Sequence, residues 1–380
     1  MKKPVGVLVS LFSLPWVVSA VAADATSLEA IGKALFFDPS LSEPAGQSCA
    51  SCHDPQAGFA DPDRDQPTSE GVRPGLFGAR NTPTTAYAAF SPPFGFDPQE
   101  RLYVGGQFWD GRAATLEEQA GQPLLNPLEM ANRDRAMVVE KVRRSPHADG
   151  LRAHFGSDVL QDIARAYESI TIALAAYERS KEMSPFSSRY DAFLAGTAEL
   201  SPLEREGLEL FEREDKGNCA ACHPSRPAED ASPPLFTDFT YDNLGTPANP
   251  DNPFYRMAAT HNPDGADYLD PGLGANPQVE TTSGRGKFKV PTLRNIEHTA
   301  PYMHNGVFSS LDEVVAFYNS RDTDDRWGAP EIGGNVNKDE LGDLGLTEGE
   351  IAAIVAFMRT LSDGYGDTPY EPAREGAALR

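Results

Sequence analysis

The amino-acid sequence predicts a mainly α-helical protein built from two similar halves with long irregular loops. A pentapeptide with two cysteines and a histidine occurs twice and uses all four cysteines of the chain. A short apolar helix pattern precedes each copy, and the matching residues of the two patterns are 175 positions apart. A longer amphipathic pattern closes each half. Helices arranged around a repeated motif indicate duplication of one structural unit.

The repeated helix is visible as a matching set of residues ahead of each pentapeptide. Apolar residues and a glycine recur at helical spacing, which predicts one short amphipathic helix in each half. The matching residues are Leu28-Glu29, Gly32 and Leu35-Phe36 in the first half and Leu203-Glu204, Gly207 and Leu210-Phe211 in the second.

A longer helix is predicted to close each half. In the second half, Thr347 and Glu350 form a capping box directly before the apolar residues. Apolar side chains at helical spacing then predict one buried face on each helix. The residues of these faces are Ile163, Tyr167, Ile170, Leu174 and Tyr177 in the first half and Ile351, Ile354, Val355, Met358 and Leu361 in the second.

Breaker residues and composition divide the chain into segments. Pro185, Gly196 and Pro202 interrupt the pattern between the halves. Residues 224–285 are rich in Pro, Asn, Asp and Gly, which predicts long loops. The predicted segments are a signal peptide at 1–23, an N-terminal domain at 24–180, a connector at 181–201, a C-terminal domain at 202–362 and a flexible tail at 363–380.

The first residues have the form of a secretory signal. Lys2 and Lys3 precede an apolar run of about 15 residues, and small residues follow before Asp24. The run is shorter than the roughly 20 residues that a membrane span needs, so a retained anchor is the weaker alternative. We therefore expect a periplasmic protein with no membrane span in the mature chain.

The charge of the chain restricts its partners. There are 33 Lys and Arg against 56 Asp and Glu, a formal net charge of −23. This excess of acid argues against a nucleic-acid binder, which neutralises phosphates with basic residues. A cationic partner is favoured instead.

Both pentapeptides are typical of covalent attachment sites for c-type haem. Two thiols add to the porphyrin vinyl groups, and the histidine binds the iron as its proximal ligand. A thioredoxin-like motif, a zinc site or paired disulfides would each explain the cysteines, but none explains a following histidine twice. Helix, haem motif, loops and closing helix predict two cytochrome c-like haem domains, each with one covalently bound haem c. The attachment residues are Cys49, Cys52 and His53, and Cys219, Cys222 and His223.

The first haem has few candidates for a second iron ligand. No histidine or methionine lies between His53 and Met130. The next histidines, His147 and His154, lie in a charged segment and are expected to face solvent. The sequence therefore predicts an open iron at the first haem. If both irons were closed instead, the protein would be a dihaem electron carrier and not an enzyme.

Several sequence blocks resemble the bacterial dihaem cytochrome c peroxidase/MauG family. The resemblance covers nearly the whole chain after the signal and is specific because the blocks occur together with both haem motifs. The blocks are Arg80-Asn81-Thr82-Pro83-Thr84, Gln107–Ala113, Leu116–Ala120, Asn126–Met130, Phe288–Asn295 and Ala300–Gly306.

The resemblance implies roles for particular residues. Glu129 would be the carboxylate that moves a proton during peroxide cleavage, with Gln119 and Pro123 lining the same pocket. Trp109 corresponds to a tryptophan between the two haems. Read without the resemblance, Trp109 would more often belong to a packed core.

The resemblance also implies an interdomain calcium ion. Asn81, Thr299 and Pro301 match its position, and oxygen ligands suit this hard cation. Residues 59–79 contain no histidine, whereas peroxidases that need reductive activation carry one in this loop. The enzyme is therefore expected to react in its resting ferric form.

The second haem is expected to have a tyrosine as its distal ligand. Counting fourteen residues from His304 reaches Tyr318, where peroxidases of the family have methionine and MauG has tyrosine. Phenolate favours higher oxidation states of iron, whereas a thioether raises the potential. Met303 is the main rival ligand, followed by Met257 and His304.

The resemblance implies a dihaem oxidoreductase that reacts with hydrogen peroxide and forms high-valent haem iron. The tyrosine favours the MauG-like branch, whose members oxidise residues on a partner protein. The alternative is a dihaem cytochrome c peroxidase that reduces hydrogen peroxide to water with electrons from a small cytochrome c or copper protein. A non-enzymatic electron carrier is the third interpretation.

Overall fold

The computed structural model describes residues 27–279 and 282–366, so the predicted signal peptide and all but the first residues of the predicted tail lie outside the described residues. Helices and loops dominate this part of the chain, which confirms the predicted mainly α fold. The helices are α1 Leu28–Phe36, α2 Leu116–Leu125, α3 Arg135–Arg144, α4 His147–Phe155, α5 Ile163–Glu178, α6 Arg189–Leu194, α7 Pro202–Glu212, α8 Leu311–Ser320 and α9 Glu348–Arg359.

Two short antiparallel strand pairs complete the described secondary structure. β1 at Gly95–Asp97 pairs with β2 at Leu102–Val104 in a hairpin of the first half. β3 at Tyr241–Asp242 pairs with β4 at Phe288–Lys289 in the second half. The hairpin contacts the second half, because Gly105 N–H donates to the Phe239 carbonyl at 3.0 Å.

The predicted duplication appears as the same helix crossing in both halves. In the first half α1 packs on α5 at Gly32, where a Cβ would lie 1.8 Å from the Ala173 carbonyl oxygen. In the second half α7 packs on α9 at Gly207, where the corresponding distance to Ala353 is 1.9 Å. Only glycine allows the two backbones to approach so closely.

The predicted start of the second closing helix agrees with the structure. Thr347 and Glu350 form a capping box at the start of α9, and Ser310 and Glu313 form another at the start of α8. In each box the side-chain oxygens accept hydrogen bonds from backbone N–H groups that have no partner within the helix. These short-range interactions fix where the two helices begin.

Each half has its own hydrophobic core. The first core gathers the buried faces of α1 to α5, with Leu35, Phe36 and Leu174 at its centre. The second core gathers those of α6 to α9, with Phe211 and Phe357 in edge contact at 5.2 Å. Burial of these apolar faces is the main source of stability for helices of this length.

The predicted connector contains a structured element that was not predicted. Helix α6 lies inside residues 181–201, and its Tyr190 belongs to the second core. The neighbouring Asp191 pairs with Arg294 through two hydrogen bonds of 2.9 Å, with side chains 1% and 0% exposed. Asp363, at the start of the predicted tail, accepts a hydrogen bond from Tyr87 Oη at 2.9 Å. Helix α6 and Asp363 are therefore attached to the folded halves.

Among the described residues, no helix is both long enough and apolar enough to cross a bilayer.

Candidate functional site

The two haem motifs have the same local backbone structure. Each begins with a single 3₁₀ turn, at Cys49–Ser51 and at Cys219–Ala221. The histidine N–H then donates to the carbonyl of the first cysteine, at 2.9 Å for both His53 and His223. This turn brings the two thiols and the imidazole to one side of the chain. All four cysteines are free of disulfides.

Each motif histidine is oriented by a backbone carbonyl. His53 Nδ1 lies 3.1 Å from the Phe59 carbonyl oxygen, and His223 Nδ1 lies 2.7 Å from that of Phe236. A carbonyl can only accept, so Nδ1 carries the proton and Nε2 is left as the free ligand atom. Burial lowers the pKa of His53 to about 4 and also lowers that of His223. Neutral imidazoles of this kind suit metal ligation.

In both halves the threonine of a Pro-Thr pair binds the carbonyl next to the one that orients the histidine. Thr84 Oγ1 donates to the Gly58 carbonyl at 2.6 Å, and Thr292 Oγ1 donates to the Leu235 carbonyl at 2.6 Å. Each of these carbonyls directly precedes the phenylalanine that orients the histidine. The threonines belong to two of the family-like blocks, so those blocks hold the haem histidines in place.

Glu129 lies near the first haem motif. Its charge is among the causes, after burial, that raise the pKa of the Cys49 and Cys52 thiols to about 12. Burial raises the pKa of Glu129 itself, against the opposing effect of Arg112. Asn126 Nδ2 donates to Glu129 Oε1 at 2.6 Å. Among the described residues, the only hydrogen bond to this carboxylate is the one to Oε1.

Gln119 and Pro123 occupy one face of α2. They are separated by one helical turn, so their side chains lie on the same side of the helix. The helix ends at Asn126, which anchors Glu129. Helix α2 and the turn that follows it therefore carry all three predicted pocket residues, Gln119, Pro123 and Glu129.

The two predicted solvent-facing histidines differ. His154 is exposed, as expected. The expectation for His147 was wrong, because its Nε2 lies 2.8 Å from Asp38 Oδ2 and its side chain is 13% exposed. The reason is tertiary: α4 packs against α1, whose following turn carries Asp38. This contact engages the ring nitrogen that could otherwise bind iron.

A mainly apolar cavity surrounds the second haem motif. Its lining includes Cys219, Cys222, His223, Tyr318 and Met303. Burial, together with the nearby Cys222 and Cys219, raises the pKa of the Tyr318 hydroxyl. A flat apolar cofactor held by two thiols and one imidazole fits these walls, so the residues present suit a haem.

Two of the four candidate distal ligands have other partners. Met257 Sδ accepts a hydrogen bond from Phe77 N–H at 3.4 Å. His304 stacks on Phe288 with ring centroids 3.7 Å apart, and its Nε2 lies 3.0 Å from Glu331 Oε2. Tyr318 and Met303, which both line the cavity, therefore remain as the competing candidates.

Trp109 joins the two halves. Its indole N–H donates to the Asn81 carbonyl at 2.9 Å, and its own carbonyl accepts from Lys289 N–H at 2.8 Å. The indole meets the Phe288 ring edge-on, with centroids 6.5 Å apart. Trp109 also lines the cavity that contains His223. Its backbone and side chain are thus fixed from both halves at once.

Known proteins resemble this chain along most of its length. The family described as di-haem cytochrome c peroxidase matches residues 26–199. The methylamine utilization protein MauG of Paracoccus denitrificans is 43% identical over 92% of this chain and 91% of its own length. The cytochrome c551 peroxidase of Nitrosomonas europaea is 32% identical over 93% of this chain and 84% of its own. The chain belongs to the dihaem cytochrome c peroxidase/MauG family.

A solved structure of a family member agrees with the fold. The dihaem peroxidase BthA from Burkholderia thailandensis is 37% identical, with a TM-score of 0.78 over 91% of this chain and 90% of its own. The chain is therefore a MauG-like dihaem oxidoreductase that depends on hydrogen peroxide.

The three residues matched to calcium come together. Asn81, Thr299 and Pro301 all line the cavity between the halves, beside Trp109. Asn81 Nδ2 donates to the Pro67 carbonyl at 3.1 Å, so its amide oxygen is the group left to bind a cation. In the described part of the chain no cluster of three or more His, Cys, Asp or Glu could hold a metal. Amide and carbonyl oxygens are the donors that calcium accepts.

Sequence reasoning missed a buried charged group next to Trp109. Arg80 makes two hydrogen bonds to Asp270, at 2.6 and 2.7 Å, and one to Asp110 at 2.7 Å. Burial alone would lower the pKa of Arg80, but the two carboxylates raise it. Arg80 and Asp110 lie in two of the family-like sequence blocks, and this position could have marked them as functional residues. Asp270 lies in a loop 190 residues from Arg80, and no local pattern marks it.

Proposed function

We propose that this dihaem enzyme acts in the periplasm, where it uses hydrogen peroxide to oxidise residues on a partner protein. The observation that carries the proposal is the contrast between two haem sites. The first has a partly buried glutamate near its motif, and the second has a partly buried tyrosine on the wall of its cavity. The 43% identity to MauG over nearly the whole chain supports the same branch.

Each haem is bound covalently in this proposal. Cys49 and Cys52 would form thioethers to the first haem, and Cys219 and Cys222 to the second. The Nε2 atoms of His53 and His223 would hold the irons, because their Nδ1 atoms are engaged by carbonyls. The bound haems supply the redox chemistry that converts hydrogen peroxide to water.

Glu129 moves the proton that peroxide cleavage requires. Its Oε2 takes a proton from one peroxide oxygen and returns it to the other, which then leaves as water. Asn126 holds the carboxylate through Oε1, so the group is oriented before the substrate arrives. Burial raises the pKa of Glu129 above that of an exposed glutamate, and a raised pKa suits a group that must both take up and release a proton. Gln119 and Pro123 line the pocket beside it.

Tyr318 would hold the iron of the second haem through its phenol oxygen. Its position on the wall of the cavity that contains His223 supports this role, and the partners of Met257 and His304 make those two residues weaker candidates. A phenolate ligand stabilises oxidised iron, which suits storage of an oxidising equivalent. Met303 is the competing ligand.

Trp109 carries electrons between the two sites. Its indole is fixed from both halves and lines the second cavity. A calcium ion bound by Asn81, Thr299 and Pro301 would hold the same region in shape.

The second candidate function is that of a cytochrome c peroxidase. The 32% identity to the cytochrome c551 peroxidase of Nitrosomonas europaea favours it. In that case a small cytochrome c or copper protein would donate two electrons for each hydrogen peroxide reduced to water.

The two functions are separated by mixing the fully ferric protein with equimolar hydrogen peroxide in a stopped-flow spectrometer. The MauG-like function predicts prompt formation of a long-lived oxidised state without added reductant. A strict need for prior one-electron reduction would contradict it. Glu118→Gln, which changes an exposed carboxylate on α2, is the matched control for Glu129→Gln and should react like the native protein.

A further inference from the structure

The proposed function requires electrons to pass between a buried haem and a partner protein at the surface. Tryptophan and tyrosine side chains are the residues most easily oxidised on such a route, because their rings lose an electron more readily than other side chains. We propose that Trp327 is the surface residue through which electrons enter from the partner. This proposal rests on the proposed function.

Ring contacts connect Trp327 to the second haem site. Its indole meets Phe317 edge-on at 5.5 Å and Phe308 edge-on at 5.6 Å between centroids. Phe317 in turn lies 6.1 Å from the Tyr318 ring. Tyr318 lines the cavity around His223. A continuous set of ring contacts therefore leads from Trp327 to the cavity wall.

Burial changes along this route from surface to interior. Trp327 is partly exposed at the end of a short 3₁₀ turn, Asp325–Trp327, and the residues on either side of it are exposed. Phe317 is fully buried. The route thus has one end that a partner can touch and one end inside the protein.

The surroundings of the indole allow it to lose an electron without losing its proton. Trp327 Nε1 donates to Ser320 Oγ at 3.0 Å, and a neutral hydroxyl is a weak base. Arg326 stacks on the ring at 4.2 Å, but it is also paired with Asp324 at 3.0 Å, which reduces its effect on the ring. The N–H hydrogen bond fixes the ring orientation.

The electron balance is simple. Reduction of one hydrogen peroxide to two waters consumes two protons and two electrons. Trp327 passes one electron inward and regains one from the partner, and it does so twice for each peroxide. The partner therefore loses two electrons in two separate steps, and Trp327 itself is unchanged at the end of the cycle.

Charge near Trp327 selects the kind of partner. Asp325 and Asp343 are exposed, and the backbone bond from Asp322 N–H to the Gly342 carbonyl at 2.9 Å holds their two segments side by side, whereas Asp322 itself is paired with Arg321 at 2.7 Å and lies near Lys338. With a net charge of −23 for the whole chain, the surface attracts a positively charged protein. The partner is inferred to present a basic face around its oxidised group.

A second aromatic series reaches the surface at the β1–β2 hairpin, and it is the weaker route. Tyr241 contacts Phe94 at 6.0 Å, Phe94 stacks on Tyr103 at 5.5 Å, and Tyr103 contacts Phe96 at 5.1 Å. The exposed end is Phe96, which is 53% exposed. Phenylalanine is much harder to oxidise than tryptophan, so this series ends in a poor relay. Tyr241 serves as the control position.

The test uses mammalian ferrocytochrome c, a small basic protein, as the electron donor for the dihaem protein. Trp327→Phe keeps an aromatic ring in place but removes the easily oxidised indole, and Trp327→Tyr restores an oxidisable ring. Tyr241→Phe is the matched control. Two rates are measured for each protein: the absorbance change with peroxide alone and the oxidation of ferrocytochrome c with peroxide.

We expect all variants to react normally with peroxide alone. Trp327→Phe should oxidise ferrocytochrome c at least about tenfold more slowly, equivalent to about 1.4 kcal/mol of added barrier, whereas Trp327→Tyr should recover part of the rate and Tyr241→Phe should match the native protein. The native rate should fall as salt is added. Peptide mass spectrometry after peroxide without donor should find oxygen added to Trp327, and Glu129→Gln should prevent it.

An unchanged rate of ferrocytochrome c oxidation in Trp327→Phe, with a normal peroxide reaction, would overturn the role of Trp327 but not the proposed function. So would loss of the rate in Tyr241→Phe without loss in Trp327→Phe. A native protein that fails to react with peroxide at all would overturn the proposed function, and the Trp327 proposal with it.

Discussion

The two halves of this protein hold the histidine of the haem motif in the same way but place different side chains, Glu129 and Tyr318, near the two motifs. Both hold the histidine through a carbonyl of a buried phenylalanine, both bind the preceding carbonyl with the threonine of a Pro-Thr pair, and both cross two helices at a glycine. Beyond the haem motif, the first half supplies Glu129 from the turn after α2, whereas the second supplies Tyr318 from α8. Shared parts attach a cofactor, and the unlike parts decide its chemistry.

The difference matters because identical cofactors would otherwise do identical work. A base near one haem favours reaction with peroxide, and a closed iron at the other favours storage or transfer of electrons. Trp109 lies where the halves meet and is held by both. A duplicated unit can thus become an enzyme by changes on one side of each copy.

The largest expected effect comes from Glu129→Gln, which removes the base that the second half lacks. The glutamine cannot exchange a proton with peroxide, so the rate of the peroxide reaction should fall by about 10²–10⁴. Both haems should remain bound, as judged by the reduced absorbance spectrum. A rate equal to that of the Glu118→Gln control would remove Glu129 from this role.

A comparable effect on stability is expected from Asp191→Asn. It leaves the fully buried Arg294 charge without its partner, which should cost about 3–5 kcal/mol of unfolding free energy. The control is Lys33→Met in the first half, whose pair with Glu182 has side chains 47% and 41% exposed and should contribute about 0–1 kcal/mol. Denaturant unfolding measures both, and equal losses would contradict the contrast.

Gly32→Ala and Gly207→Ala test whether the helix crossings are equivalent. In each case the new methyl group would meet a backbone carbonyl within 2 Å, so both changes should cost about 3 kcal/mol, at the upper end for overpacking. Gly349→Ala is the control, because its nearest neighbour is 3.9 Å away and alanine favours the helix. Unequal losses at Gly32 and Gly207 would show that the halves do not share this crossing.

The smallest expected effect is a pH dependence of the peroxide reaction. Burial raises the pKa of Glu129 above 4.5, so the base form is lost at a higher pH than for an exposed glutamate. The rate should therefore fall as the pH drops through that raised pKa and should level off above it. Stopped-flow rates across pH measure it. The same fall in Glu129→Gln would assign it to another group.

Local patterns in the sequence were sufficient for the repeated parts of the fold. The capping boxes at Ser310 and Thr347 and the haem motifs depend on residues a few positions apart, and the glycines at 32 and 207 stand out because they recur at the same place in both helix patterns. Such short-range patterns can be read directly from a sequence. They predicted both halves and both attachment sites.

Long-range contacts were the part that the sequence did not predict. Arg80 meets Asp270 from 190 residues away, Asp191 meets Arg294 from 103, and His147 meets Asp38 from 109. Nothing near these residues in sequence marks their partners. The helix α6 is a different case, because Ser188 and Asp191 form a capping box at its start and this short-range pattern is present in the sequence. Glu129 and Tyr318 were found only because the surrounding blocks resemble a family.

The most direct test of the division of labour between the two halves is the electron paramagnetic resonance spectrum of the resting ferric protein. An open first iron and a closed second iron predict one high-spin and one low-spin signal in equal amounts, with Tyr318→Phe altering only the low-spin signal. Two low-spin signals would contradict it.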